Sequence, residues 1–249
     1  MKKLLTILST LLLLTSQVGG QWQVGNRNFG RGTYTWSHRA SQSGYNDSSS
    51  SVSTLTVTLT ANPTTSDLVV CGLAFPTAIS GLTLSDSASN GYAITGGSPH
   101  HSIVYSYVAY LLSAPGTATK SLVATWTTAS AVLINCDEFV DSTPGHQAYD
   151  STAGDAFQGT GTGSGTTLNA PTFTPSTAGE LAYGFVLTVS GTITAPTTGA
   201  TLGSWTGSTV DSLGSGAEYA LSVSSATAAQ YTDSASSANY DATIAGFKP

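Results

Sequence analysis

Thirteen acidic residues stand against seven basic ones in this 249-residue chain. Asp137, Glu138 and Asp141 crowd one strand-like end, with Asp150 and Asp155 in the loop beyond. Carboxylates at a strand end are the hard oxygen donors that calcium takes six to eight at a time. Asp137, Glu138 and Asp141 are therefore the candidate calcium ligands, against a competing reading of polar turn chemistry. No Asp-x-Asp-x-Asp-Gly run accompanies them. The chain has only three glutamates, Glu138, Glu180 and Glu218. Two carboxyls at a set separation hydrolyse glycosides. Glu138 and Glu218 lie on strand-like segments and are the pair that would do so, whereas Glu180 sits at a turn. Hydrolysis ranks last among the readings, because sequence gives no separation in space.

Other chemistry is thinner. His100-His101 follows the loop Gly96-Gly97-Ser98-Pro99, but a transition-metal site needs three or four ligands, and His38 and His146 are far off in sequence. No Gly-x-Ser-x-Gly elbow stands in a strand–helix setting. The glycine-rich run 159–165 lacks the lysine and helix of a phosphate loop. No catalytic residue is assigned, and calcium is the one cofactor in view. Tyr92, Tyr105, Tyr107, Tyr110, Trp126, Trp205, Tyr219 and Tyr231 are numerous enough for a sugar-stacking platform; sandwich core is the plainer reading.

These residues sit in a chain built for export. Lys2-Lys3, the apolar run Leu4 to Leu14 and the small residues Val18-Gly19-Gly20 read as a signal peptide, residues 1–20. The apolar run is short for a membrane span; an uncleaved anchor is the alternative. Charged residues are 8% of the chain and the net charge is -6, and cleavage removes two further positive charges. So acidic and lysine-poor a surface argues against nucleic acid and against anionic lipid. Cys71 and Cys136 fit one disulfide in an oxidising compartment. Val69, Cys71, Leu73 and Phe75 share a strand face, as do Val132, Ile134 and Cys136, so the sulfurs meet if both faces enter one core. Two buried free thiols are the alternative.

The elements that would position these groups are strands. The two halves say nearly the same thing. Asp67–Phe75 has a counterpart in Glu180–Leu187, each behind a turn-rich lead-in, and Ala109–Phe139 runs in step with Ala217–Phe247. Leu55, Val57 and Leu59 alternate with threonine, the mark of a half-buried strand. Asp67–Phe75 is apolar on both faces and is expected to be central. Further strands are expected near 79–84, 103–110, 121–127, 131–139, 167–173, 180–189, 192–194, 216–224, 228–232 and 240–247. No helical period appears. The expected fold is all-β, a duplicated β-sandwich of jelly-roll or immunoglobulin-like type. Its parts are an N-terminal arm and flexible connector (21–51), a first repeat (52–153), a Gly/Thr-rich linker (154–166) and a second repeat (167–249). Two lobes sharing an interface are favoured slightly over one larger sandwich. True immunoglobulin domains are not matched, since Leu84 and Ile134 stand where that pattern wants Trp and Tyr.

The signal peptide, Ser66-Asp67-Leu68-Val69-Val70, Ser85-Asp86-Ser87-Ala88-Ser89-Asn90-Gly91-Tyr92, Asp137-Glu138-Phe139 and Ala245-Gly246-Phe247-Lys248 together resemble a widespread class of poorly characterised bacterial exported β-sandwich proteins. The resemblance covers most of residues 52–249 and implies a secreted or cell-surface setting without particular chemistry. The leading expectation is a non-enzymatic structural or adhesive protein of a filament, surface layer or matrix. Its own copies would be its partners, joined through the arm residues Trp22, Phe29, Tyr34 and Trp36; a first strand laid against the sandwich is the competing reading of the arm. A secreted carbohydrate-binding module, with polysaccharide as partner, is the alternative.

Overall fold

β-Branched and aromatic residues in alternating or wholly apolar runs form sixteen strands among the described residues. The structure is a computed structural model and describes residues 35–39, 42–96, 105–143, 145–151, 156–157, 167–170, 172–188, 193–196, 206–210, 214–233 and 240–249. The signal peptide, the arm residues Trp22, Phe29 and Tyr34, His100-His101, Asp155, the run 159–165 and Trp205 lie outside them. The first half contributes β1 (Trp36–His38), β2 (Gly44–Thr58), β3 (Leu68–Phe75), β4 (Thr83–Asp86), β5 (Ala93–Gly96), β6 (Tyr105–Leu111) and β7 (Ser121–Asp141). Two short strands follow, β8 (Ala148–Tyr149) and β9 (Ala156–Phe157). The second half contributes β10 (Thr167–Asn169), β11 (Glu180–Thr188), β12 (Ile193–Pro196), β13 (Thr206–Val210), β14 (Ser215–Val223), β15 (Gln230–Asp233) and β16 (Tyr240–Lys248). No α-helix occurs among the described residues. The fold is an all-β sandwich, as expected.

β3 lies between β6 and β7, and β11 lies between β14 and β16. All pairings are antiparallel. Both central strands are buried along their whole length, which is why neither shows a polar alternation. Their inner faces meet. Leu68, Val70, Ala74 and Phe139 pack against Leu181, Tyr183, Phe185 and Phe247 in one core between the two sheets. Gly72 is there because Phe185 is: a Cβ at Gly72 would sit 2.2 Å from the Phe185 ring.

Each inner sheet buries its other face under its own outer layer. In the first half, Val69, Cys71, Leu73 and Phe75 meet Val57, Leu84, Leu122 and Trp126. In the second, Ala182, Val186 and Ile244 meet Leu168, Phe173, Ile193 and Tyr231, which come mostly from the three-stranded sheet β10–β15–β12.

The first half reaches its outer layer without breaking the chain. Residues 121–127 and 131–139, expected as two strands, are one strand, β7. Its first part pairs with β4 and the end of β2, and its second part with β3 and the start of β2. β2 follows it around the corner through register shifts between Ser48 and Thr54, where extra residues bend a ribbon. The two ends of β2 then touch: a Cβ at Gly44 would sit 2.8 Å from the Thr58 carbonyl, and Asn46 Nδ2 donates to the Thr56 carbonyl at 2.6 Å. The serine run Asp47–Ser51, expected to be a flexible connector, is therefore part of a strand. Pairing with Leu133 and Val132 of β7 overrides its composition.

Candidate functional site

The chemistry-bearing side chains gather where the central strands begin. Each strand is preceded by a left-handed residue, Ser66 at φ 73° and Gly179 at φ 93°. That turn delivers a carboxylate, Asp67 or Glu180, onto the strand head, and each meets a second carboxyl and one cation.

At the head of β3, three neighbouring strands supply the groups. Arg39 follows β1, Glu138 lies on β7 and Asp67 precedes β3. Arg39 Nε is 2.5 Å from Asp67 Oδ2 and 3.4 Å from Glu138 Oε1. Glu138 Oε1 also accepts from the Thr64 amide at 2.9 Å. The Gln42 side-chain nitrogen donates to the Asn62 carbonyl at 3.2 Å and to Glu138 Oε2. Burial first, and then the hydrogen-bonded Asp67 carboxyl, pushes Glu138 up to about 7. A second carboxyl beside Glu138 favours its neutral form, in the same direction as burial.

At the head of β11 the frame is β8, β16 and β11. Lys248 Nζ on β16 is 3.0 Å from Asp150 Oδ1, just after β8. Asp150 Oδ2 accepts from the Ser176 amide at 3.1 Å, and Glu180 Oε1 from the Thr177 amide at 2.6 Å. Burial is again the largest cause that raises Glu180, to about 7, with the hydrogen-bonded Asp150 carboxyl adding to it against the Thr177 amide. Gly246 makes the meeting possible: its Cβ would stand 3.3 Å from Glu180 Oε2 and 2.3 Å from the Phe173 ring.

The candidate calcium ligands are not brought together. Successive strand residues point to opposite faces, so Asp137 and Glu138 enter different cores, and Asp141 is about 13 Å along the strand from Asp137. Asp137 is wholly enclosed by its own chain. It accepts from Ser43 Oγ at 2.9 Å, Asn135 Nδ2 at 3.1 Å and the Tyr183 hydroxyl at 3.3 Å, and it contacts His38 Nε2 at 2.9 Å. Asp141 Oδ1 accepts from the Thr143 amide at 3.0 Å, and burial raises its carboxyl. No group of three His, Cys, Asp or Glu among the described residues converges on a metal position. The calcium expectation is corrected accordingly.

His38, Asp137 and Ser43 superficially suggest a nucleophile relay. The serine proton goes to the carboxylate rather than to the imidazole, so nothing activates the hydroxyl. The network instead crosses between the halves, because Tyr183 of β11 and Asp137 of β7 belong to opposite sheets. Trp36, assigned to the assembly arm, is 4% exposed and packs in the core between the sheets. Glu218 is buried on β14 and does not join Glu138. The described residues proposed for an aromatic platform do not lie open at the surface. Tyr92, Tyr107, Trp126, Tyr219 and Tyr231 are buried, and Tyr105 and Tyr110 are half-buried. Among the described residues the exposed large hydrophobics are Tyr45 and Leu221.

Cys71 and Cys136 are bonded, directly opposite each other on β3 and β7. The shared-face argument from sequence holds. What sequence reasoning missed is the pairing of Asp67 with Glu138 and of Asp150 with Glu180; the turn before each strand head was the available signal. Comparison with protein-family models, with characterised proteins and with solved structures finds no match.

Proposed function

We propose that this chain is an exported, non-enzymatic structural or adhesive protein that assembles with its own copies into a filament, surface layer or matrix. The reading rests chiefly on β2. This fifteen-residue strand has no lysine, arginine or proline, one acidic residue, and pairs among the described strands with β7 alone. Long, uncharged edges are templates for strand addition. The distribution of charge supports the same reading. Ten of the thirteen acidic residues are buried, so the described surface is left to serine, threonine and glycine. The disulfide suits an oxidising, extracellular setting, and the parallel pairing schemes of the halves suit duplication of one sandwich unit.

Residues 21–249 should form fibres or a defined oligomer in light scattering and negative-stain microscopy across concentration. Thr54→Lys with Thr56→Lys places charge on the exposed strand and should disperse that assembly while leaving the fold intact. A monomer at every concentration would sink the proposal. Deletion of residues 21–33, stopping short of buried Trp36, tests the arm separately: unchanged assembly would remove it from the mechanism.

A further inference from the structure

Lys248 is the residue that the proposed function does not use and that the geometry singles out. Its amine is 3.0 Å from an oxygen of Asp150, whose side chain is wholly buried. Glu180 is also wholly buried, and Ser176 bridges the two acids: its amide donates to Asp150 Oδ2 at 3.1 Å and its hydroxyl to Glu180 Oε1 at 3.3 Å. Glu180 Oε2 is buried and accepts no hydrogen bond. Amine, carboxyl and neighbouring acid thus lie across three adjacent strands, β16, β8 and β11, where Gly246, lacking a side chain, leaves room for the Phe173 ring and Glu180 Oε2. The Asp150 amide donates to the Gly246 carbonyl at 2.9 Å, so the backbone holds this register.

We propose that Lys248 and Asp150 join spontaneously in an intramolecular amide cross-link, with Glu180 as the proton-transferring residue.

The step balances without any co-reactant. The Lys248 ammonium gives a proton to the Asp150 carboxylate, leaving a neutral amine beside a carboxylic acid. Nζ attacks Cγ of Asp150 and the Nζ–Cγ bond forms. Glu180 takes a proton from nitrogen and delivers one to the departing hydroxyl. The Cγ–O bond breaks, one water leaves, and Glu180 ends as it began. Condensation is disfavoured in bulk water. Here the reactants are already in contact, and fixed proximity of this kind supplies a large effective concentration. Burial lets Glu180 hold the proton it must deliver: its carboxyl is pushed up to about 7, chiefly by desolvation. The Lys248 side chain, 29% exposed at the rim, leaves the water a way out. The product would tie the last strand to the segment after β8 and staple the second half covalently. This inference stands whether or not the protein assembles.

The chain makes the test simple. No Lys or Arg lies between Lys120 and Lys248, and Pro249 follows Lys248. Trypsin therefore releases 121–249 as one peptide, holding all three residues. Mass spectrometry of that peptide from the folded, subsequently reduced protein should show the sequence mass less one water. Lys248→Arg should restore the full mass, and Glu180→Gln, checked as folded by circular dichroism, should restore it largely. A full-mass wild-type peptide whose Lys248 reacts with an amine-specific label would overturn the proposal. So would a water loss that persists in Lys248→Arg, which would place dehydration elsewhere.

Discussion

The heads of β3 and β11 use the same parts in different order. Both set two carboxyls and one cation across three neighbouring strands, behind a left-handed turn. In the first half the acid is on the middle strand and the cation, Arg39, flanks it. In the second the cation, Lys248, is on the middle strand and the acids flank it, meeting over Gly246. Glu138 stands where the in-step alignment puts Gly246. The guanidinium of Arg39 is permanently charged and can only bridge. The amine of Lys248 can lose its proton and attack. The first half already has a covalent staple in Cys71–Cys136; among the described residues the second has none until Lys248 and Asp150 react. One electrostatic frame thus supports a salt bridge in one half and sets up a bond in the other.

The largest expected effects come from removing the staples. Lys248→Arg should lower stability by about 4–5 kcal/mol if the cross-link is present, because it opens a loop near 100 residues. The pair Cys71→Ala with Cys136→Ala should cost about 4 kcal/mol, for a sequence separation of 65. Urea melts measure both. Equal, additive losses would show the halves to be stapled independently; a negligible loss for Lys248→Arg would reduce the second head to another salt bridge.

Next comes the contact that both halves share. Gly72→Ala drives a methyl into the Phe185 ring, an overpacking cost of about 1–3 kcal/mol. Phe185→Leu in the same chain should recover part of it, and a double-mutant cycle reads the coupling. Tyr183→Phe removes a hydroxyl that donates to Asp137 and accepts from Asn135 across the halves. It should cost ~1.5 kcal/mol, measured the same way.

A pH dependence reads both heads together. Glu138 and Glu180 titrate near the ordinary 4.5 when unfolded and near 7 when folded. Their contribution is full below about pH 4.5, falls as pH rises toward 7 and stays lost above it. Asp86 acts oppositely. Burial raises it, but hydrogen bonds from Asn90, Thr119 and Ala88 outweigh that and lower its carboxyl, so its contribution is lost as pH falls through the low range. Melting temperature should peak in mild acid. Glu138→Gln should flatten the decline toward neutrality, and Glu180→Gln should do the same when both chains compared carry Lys248→Arg and so lack the cross-link. A profile rising steadily from pH 5 to 8 would contradict the raised Glu138 and Glu180 carboxyls at the two heads.

Much of this was legible in residue order. The burial of β3 on both faces follows from its unbroken apolar run, and the disulfide from the parity of Cys71 and Cys136. The continuity of β7 was not legible, because Thr128, Ala129 and Ser130 read as a break while pairing of Ser130 with Val52 of β2 carries the strand through. Trp36 read as available for assembly because its aromatic type does not say which surface it meets.

Sequence alone determined the strand class, the alternation that sends neighbours to opposite faces and the parity that lets Cys71 and Cys136 meet. Only the tertiary structure decided the fate of the acids. Asp137 and Glu138 are adjacent in the chain and part company across a sheet, while Asp67 and Glu138, or Asp150 and Glu180, are distant in the chain and act on each other's ionisation. Side-chain direction is a local property of the backbone, whereas ionisation and reactivity depend on distance in space and on the water excluded by packing.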